Sequence, residues 1–85
     1  MNYFVYMIIS NIKDKNISYV GYTNNLNKRI NSHNSSKGAK FTKGKLWRLI
    51  YFKKFASKNL AMKYEYLLKK NRKMRNLIKL ENMNK

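Results

Sequence analysis

Seven consecutive apolar residues, YFVYMII (Tyr3 to Ile9), lie near the head of the chain and set the terms of its fold. The run is far too short to cross a membrane, which takes about 20 apolar residues in a helix. No basic segment precedes it, as one would in a signal peptide. Its aromatic and β-branched residues read instead as a buried strand. A chain of 85 residues buries only about 60% of its unfolded surface, so that strand must belong to one modest core. The chain has no cysteine, so neither a disulfide nor a Cys-ligated zinc can staple it. It has no proline either, which argues against a Pro-rich linker. Packing of Tyr, Phe, Leu and Ile has to hold the fold.

The elements that follow can be placed by pattern. NIKDKN (Asn11 to Asn16) is polar and turn-like and carries Asp14, and ISYVGY (Ile17 to Tyr22) is a second strand. The two strands make a hairpin with a loop of about six residues. Thr23 or Asn24 caps a helix running to about His33, because either side chain can accept a free backbone N–H of the first turn. Leu26, Ile30 and His33 fall on one side of that helix, with Arg29 one turn before His33. NSSKGAKFTKGK is a basic loop, and LWRLIYFKKF is a third strand that pairs with the hairpin. Ser57 caps a helix over residues 58–70 with an apolar stripe of Leu60, Ala61, Tyr64, Leu67 and Leu68. Asn71 caps a last basic helix with Leu77, Ile78 and Met74 facing inward. With no internal repeat and no boundary, residues 1–85 form a single domain. The order β-β-α-β-α-α describes an α+β fold, a small three-stranded antiparallel sheet with helices packed on it.

Charge narrows the function. Twenty Lys and Arg stand against three acids, a formal charge of +17. Such a charge destabilises a compact state by self-repulsion unless a polyanion is the usual partner. An AT-rich coding bias explains the abundance of Lys, Asn and Ile but not the scarcity of Asp and Glu. Nucleic acid is therefore the favoured partner, with a membrane surface second and the cytoplasm the expected compartment.

A few residues could carry chemistry. Glu65 sits beside Ala61 at the margin of its helix's apolar stripe. It reads either as a surface ion pair with Lys69 at i+4 or as the single carboxylate ligand of a divalent cation that also touches a phosphate, a role suited to Mg²⁺. His33, the only histidine, is either a proton carrier or a satisfied core residue. Arg29 is either a bidentate phosphate clamp or one more basic surface residue. Tyr6 and Tyr19 lie on the two hairpin strands and can face each other across it. Nearby cations or a metal would lower a phenol pKa. Ordinary packing of a small sheet is the plainer account of both. There is no Walker loop, no Ser-His-Asp arrangement and no His/Cys metal spacing.

Taken together, these residues resemble the GIY-YIG endonuclease superfamily, and most of all its small stand-alone bacterial members, the YhbQ-like group. FVY (Phe4 to Tyr6) stands at the first signature and YVG (Tyr19 to Gly21) at the second. YVGYTNNLNKRINSHN matches the block Y-[IV]-G-x-T-x-[DN]-L-x-x-R-x-x-x-H, SSKGAKFTKGK resembles the group's G-K-G-A-K-[YF]-T loop, and YEYLLKK resembles the segment with the family glutamate. The match covers nearly the whole chain. It departs in having Phe4 in place of the first glycine and twelve residues between Tyr6 and Tyr19.

The resemblance implies that Tyr19, Arg29 and His33 form one wall of an active site, with Tyr6 beside them and Glu65 opposite. Glu65 would hold one Mg²⁺ or Mn²⁺, Tyr6 would accept a proton from the attacking water or orient it with help from Tyr19 or His33, and Arg29 would stabilise charge on the phosphate. Gly21 and Thr23 would shape the strand-to-helix turn, and Asn76 is a candidate for a further family asparagine. Lys37, Lys40, Lys43 and Lys45 lie in a loop that could follow a phosphate backbone. The implied activity is metal-dependent hydrolysis of phosphodiesters, in DNA rather than RNA. Specificity would be low, structure-selective as in repair or recombination, or borrowed from a protein partner. The alternative is a non-catalytic DNA- or RNA-binding module that keeps the fold.

Overall fold

The computed structural model describes residues 2–12, 15–35, 37–38 and 40–83. Three strands, β1 (Tyr3–Ile12), β2 (Lys15–Thr23) and β3 (Arg48–Phe55), form one antiparallel sheet in the order β2-β1-β3. Helix α1 (Leu26–Asn34) and a short 3₁₀ turn (Lys40–Thr42) lie between β2 and β3, and α2 (Lys58–Lys70) and α3 (Arg72–Met83) follow β3. The element order is the expected β-β-α-β-α-α in an α+β architecture.

The apolar run becomes the middle strand, and its alternation divides the core. Val5 and Met7 face α2 and α3, packing with Val20, Ala61, Leu68 and Ile78. Tyr6 and Ile8 face the other way, toward Leu26 and Ile30 of α1 and toward Trp47. Helices on both sides explain why the run is apolar throughout rather than alternating. A bulge between Met7 and Ile8 shifts the β3 register, pairing Met7 with Tyr51 but Ile8 with Leu49. Ile50 and Tyr51 thus both pack on the α2/α3 side. The Ile50 carbonyl accepts a hydrogen bond from Asn82 of α3 at 2.9 Å, tying the last helix to the irregular strand.

Several local expectations need correction. The ladder continues to Ile12↔Lys15, so Asn11, Ile12, Lys15 and Asn16 are strand rather than loop. Edge strand β2 can afford such polar residues because one flank meets water. Asp14 lies outside the described residues. The cap of α1 is Asn25, whose side chain accepts from Lys28 N–H at 3.1 Å. Thr23 acts one step earlier, its hydroxyl accepting from Asn25 N–H at 3.1 Å. Leu46 and Trp47 precede β3 instead of opening it. Ser57 and Asn71 do cap α2 and α3, accepting from Leu60 and Met74 N–H. The buried line of α2 is Ala61 and Leu68 with Tyr64 partly covered, while Leu60 and Leu67 are 53% and 60% exposed. A sheet of three strands offers a helix one narrow contact line, and Leu77 of α3 likewise stays outside it. Among the described residues, no helix is long and apolar enough to cross a membrane.

Candidate active site

The β1–β2 register builds the floor of the site. Tyr6 pairs directly with Gly21, and Ile8 with Tyr19. Tyr6 and Tyr19 therefore share a face diagonally, not directly across from each other. Gly21 is a strand residue and not part of the turn. A Cβ there would lie 2.5 Å from Tyr6 Oη and 2.7 Å from Cζ, so the Tyr6 ring lies across this position because it bears no side chain. Gly38 does the same for His33, since a Cβ on it would come within 3.0 Å of the His33 Cα and Cε1.

Helix α1 brings the other two residues. One turn apart, Arg29 and His33 point down onto the tyrosines. Tyr6 Oη and His33 Nε2 are 2.8 Å apart, and Arg29 Nε donates to Tyr6 Oη at 3.3 Å. The Tyr19 ring lies 5.2 Å from the His33 ring, and Tyr19 is a minor cause of the firmer protonation of Arg29. His33 Nδ1 meets Thr42 Oγ1 at 2.8 Å. His33 is thus a fully buried, satisfied histidine and also a direct partner of Tyr6.

Burial governs the protonation of these groups. It pushes the Tyr6 phenol above its usual value, outweighing the pull of the Arg29 cation. The expected lowering is reversed because the ring has no exposed surface. Burial, assisted by the Arg29 charge, also holds His33 below 6.5. Arg29 is held more firmly protonated, chiefly by its bond to Tyr6. At neutral pH the site is a neutral phenol, a neutral imidazole and a guanidinium.

The histidine shift has a measurable consequence. As pH falls through about 6.5, the unfolded chain takes up a proton on His33 that the folded chain refuses. Stability is therefore full above that pH and lost below it, by up to about 1.4 kcal/mol per pH unit. Urea unfolding at neutral and mildly acidic pH should show this loss, and a His33→Gln variant should lose the slope. An unchanged slope in the variant would assign the acid sensitivity to other groups.

Glu65 comes from α2, on the opposite side of the sheet. Its side chain is 18% exposed, and its Oε1 lies 3.6 Å from Lys69 Nζ, the only ion pair among the described residues. The ion-pair expectation is met at a loose distance. Lys69 reaches round the β2 edge, its ammonium 5.9 Å from the centroid of the Tyr19 ring. No hydrogen bond joins Glu65 to the four clustered residues, but its charge contributes, as the smallest cause, to raising the Tyr6 pKa. The described residues contain no group of three His, Cys, Asp or Glu able to hold a metal. An ion here would take one carboxylate and keep most of its waters, a coordination that Mg²⁺ tolerates. The donor present fits such an ion.

The basic loop is less uniform than its sequence suggests. Lys37, Lys40 and Lys43 are exposed. Lys45 donates to the Phe41 carbonyl at 3.0 Å and lies 5.3 Å over the Phe41 ring, which stacks on Tyr19 at 6.2 Å. Asn76 is an exposed residue of α3, and no hydrogen bond joins it to the cluster. Thr42, Phe41 and Gly38 were not marked as functional by sequence reasoning. All three belong to the motif-like loop in which only the lysines drew attention.

The chain matches the GIY-YIG catalytic domain over residues 2–79. It is 46% identical over 66 residues to UPF0213 protein CPE1444 of Clostridium perfringens, spanning 76% of this chain and 70% of that protein. It is 46% identical over 70 residues to UPF0213 protein YazA of Bacillus subtilis, spanning 81% and 68%. The fold is similar to the solution NMR structure of UPF0213 protein BH0048 from Bacillus halodurans, with a TM-score of 0.50 and 42% identity over 94% of this chain and 85% of that one. The relatives' names specify no activity, substrate or metal. The domain match and these identities agree: the chain belongs to the GIY-YIG superfamily, in the group of small bacterial proteins named UPF0213.

Proposed function

We propose that the protein is a metal-dependent endonuclease that hydrolyses phosphodiester bonds in DNA, with low sequence specificity and selection by DNA structure, as in repair or recombination. Residues 1–85 would act as one domain. The observation that carries this reading is the Tyr6–His33–Arg29–Tyr19 cluster, a proton-transfer pair beneath a guanidinium, in a chain of charge +17. Membership of a family of endonucleases supports it.

The residues divide the work as follows. Arg29 holds Tyr6 through one long bond of 3.3 Å and has further N–H donors for phosphate oxygens. A bidentate phosphate contact is the stronger bond, so an arriving phosphate would draw Arg29 off Tyr6 and open the buried hydroxyl. A water placed there gives a proton to Tyr6 Oη as Tyr6 passes its own to His33 Nε2. The hydroxide attacks phosphorus, the P–O bond to the leaving oxygen breaks, and Arg29 stabilises the charge on the phosphate oxygens. Tyr19 packs against the His33 ring and keeps it in place. When bound at Glu65, one Mg²⁺ or Mn²⁺ would supply Lewis-acid polarisation of the phosphate and neutralise the leaving oxygen.

Binding would come from the lysines. If about five phosphates are neutralised, the log–log salt slope on duplex DNA should be about −4.5, with little dependence on sequence. A flat salt dependence in a filter or anisotropy titration would count against phosphate tracking.

The binding-module reading draws on one observation, that Tyr6 has no exposed surface. A cleavage panel of single-stranded, duplex, nicked and branched DNA and RNA, with Mg²⁺ and with Mn²⁺, separates the two. Metal-dependent strand scission on any DNA member is the expected result. Binding without scission on every member would leave the module.

A further inference from the structure

The hydrogen bonds at His33 fix more than its position. Arg29 can only donate, so at Tyr6 Oη it occupies an acceptor site. The Tyr6 proton must go elsewhere, and His33 Nε2, at 2.8 Å, is the acceptor within reach of this fully buried hydroxyl among the described residues. Nε2 must then be bare, and in a neutral imidazole the proton sits on Nδ1. Nδ1 faces Thr42 Oγ1 at 2.8 Å. The opposite tautomer would put two donors on Tyr6 Oη and leave the phenol proton buried without an acceptor, which burial makes costly.

Thr42 is itself clamped. It is fully buried, and its carbonyl accepts from Trp47 Nε1 at 3.0 Å. The Trp47 backbone is held at both its N–H and its carbonyl by the side-chain amide of Asn34, the residue after His33. One end of α1 thus holds the loop that in turn holds the histidine. We propose that Thr42 is a positioning residue: its hydroxyl accepts the His33 Nδ1 proton and so fixes the tautomer that leaves Nε2 open to the proton of Tyr6. The use of that tautomer in cleavage rests on the nuclease reading above, but the tautomer itself does not.

A single histidine makes the test direct. In ¹⁵N-labelled protein near neutral pH, a multiple-bond ¹H–¹⁵N correlation shows which ring nitrogen carries the proton. The expected state is Nδ1–H in the unmodified protein and in Thr42→Ser, which keeps the hydroxyl. Thr42→Val removes it and should populate the Nε2–H form. Single-turnover cleavage should fall on the order of tenfold or more in Thr42→Val and recover in Thr42→Ser. An Nε2–H imidazole in the unmodified protein overturns the proposal, whether or not the valine variant folds. So does a Thr42→Val protein that keeps both the Nδ1–H form and the original rate. Absence of any cleavage by the unmodified protein would sink the nuclease reading alone, and the spectrum would still decide the tautomer.

Discussion

Gly21→Ala should destabilise the protein by about 3–5 kcal/mol and disable the site without weakening DNA binding. The added methyl would lie 2.5 Å from Tyr6 Oη and 2.7 Å from Cζ, well inside contact distance. The ring is fully buried, and its hydroxyl is fixed between His33 and Arg29. It cannot swing aside as the tip of a surface side chain would. Overpacking of this kind costs about 1–3 kcal/mol, and displacing the hydroxyl forfeits two hydrogen bonds of about 1 kcal/mol each. Gly44→Ala is the control. Gly44 has a positive φ of 74° but open space where the Cβ would go. That change should cost about 1 kcal/mol of backbone strain and leave cleavage alone. Urea midpoints of both variants, with cleavage and binding measured in parallel, check the claim. Equal stability of the two alanine variants would show that Tyr6 does not lie on Gly21.

How far the sequence reached follows from what each signal encodes. Strands and helices were legible because apolar periodicity and the Ser57 and Asn71 caps are local properties. The Tyr3–Ile9 run announced burial on both faces. Hairpin length was not legible, because Asn and Lys in an edge strand look the same as Asn and Lys in a loop. The exposure of Leu60, Leu67 and Leu77 was not legible either, because a helical wheel reports which side is apolar but not how wide a surface receives it. The Tyr6, Tyr19, Arg29 and His33 set came from the motif, while its wiring did not. The diagonal placement of the tyrosines depends on a register set by the whole ladder. The raised phenol depends on burial, which no residue spacing reports. Thr42 meets His33 only because Asn34 draws Trp47 back onto α1, a tertiary contact with no periodic trace.

Glu65→Gln should separate catalysis from binding. The change keeps the shape of the side chain and removes its charge, so a hard cation loses its only proposed protein carboxylate. The Lys69 ammonium is 3.6 Å away, beyond the length of a good charge-assisted hydrogen bond, and offers a metal little competition. Cleavage with saturating Mg²⁺ should fall on the order of a hundredfold or more, equivalent to about 2.7 kcal/mol of transition-state stabilisation. Affinity for duplex or branched DNA should persist, because many lysines share it and a repelling charge has gone. The purely structural account makes a different forecast: an i,i+4 pair contributes about 0.3–0.5 kcal/mol, so the variant would lose at most that much stability and cleave as before. Paired measurements of affinity and single-turnover cleavage distinguish the two, with urea unfolding to confirm that the variant is folded. Unchanged cleavage in a folded Glu65→Gln protein would remove Glu65 from the chemistry and leave it as the helix partner of Lys69.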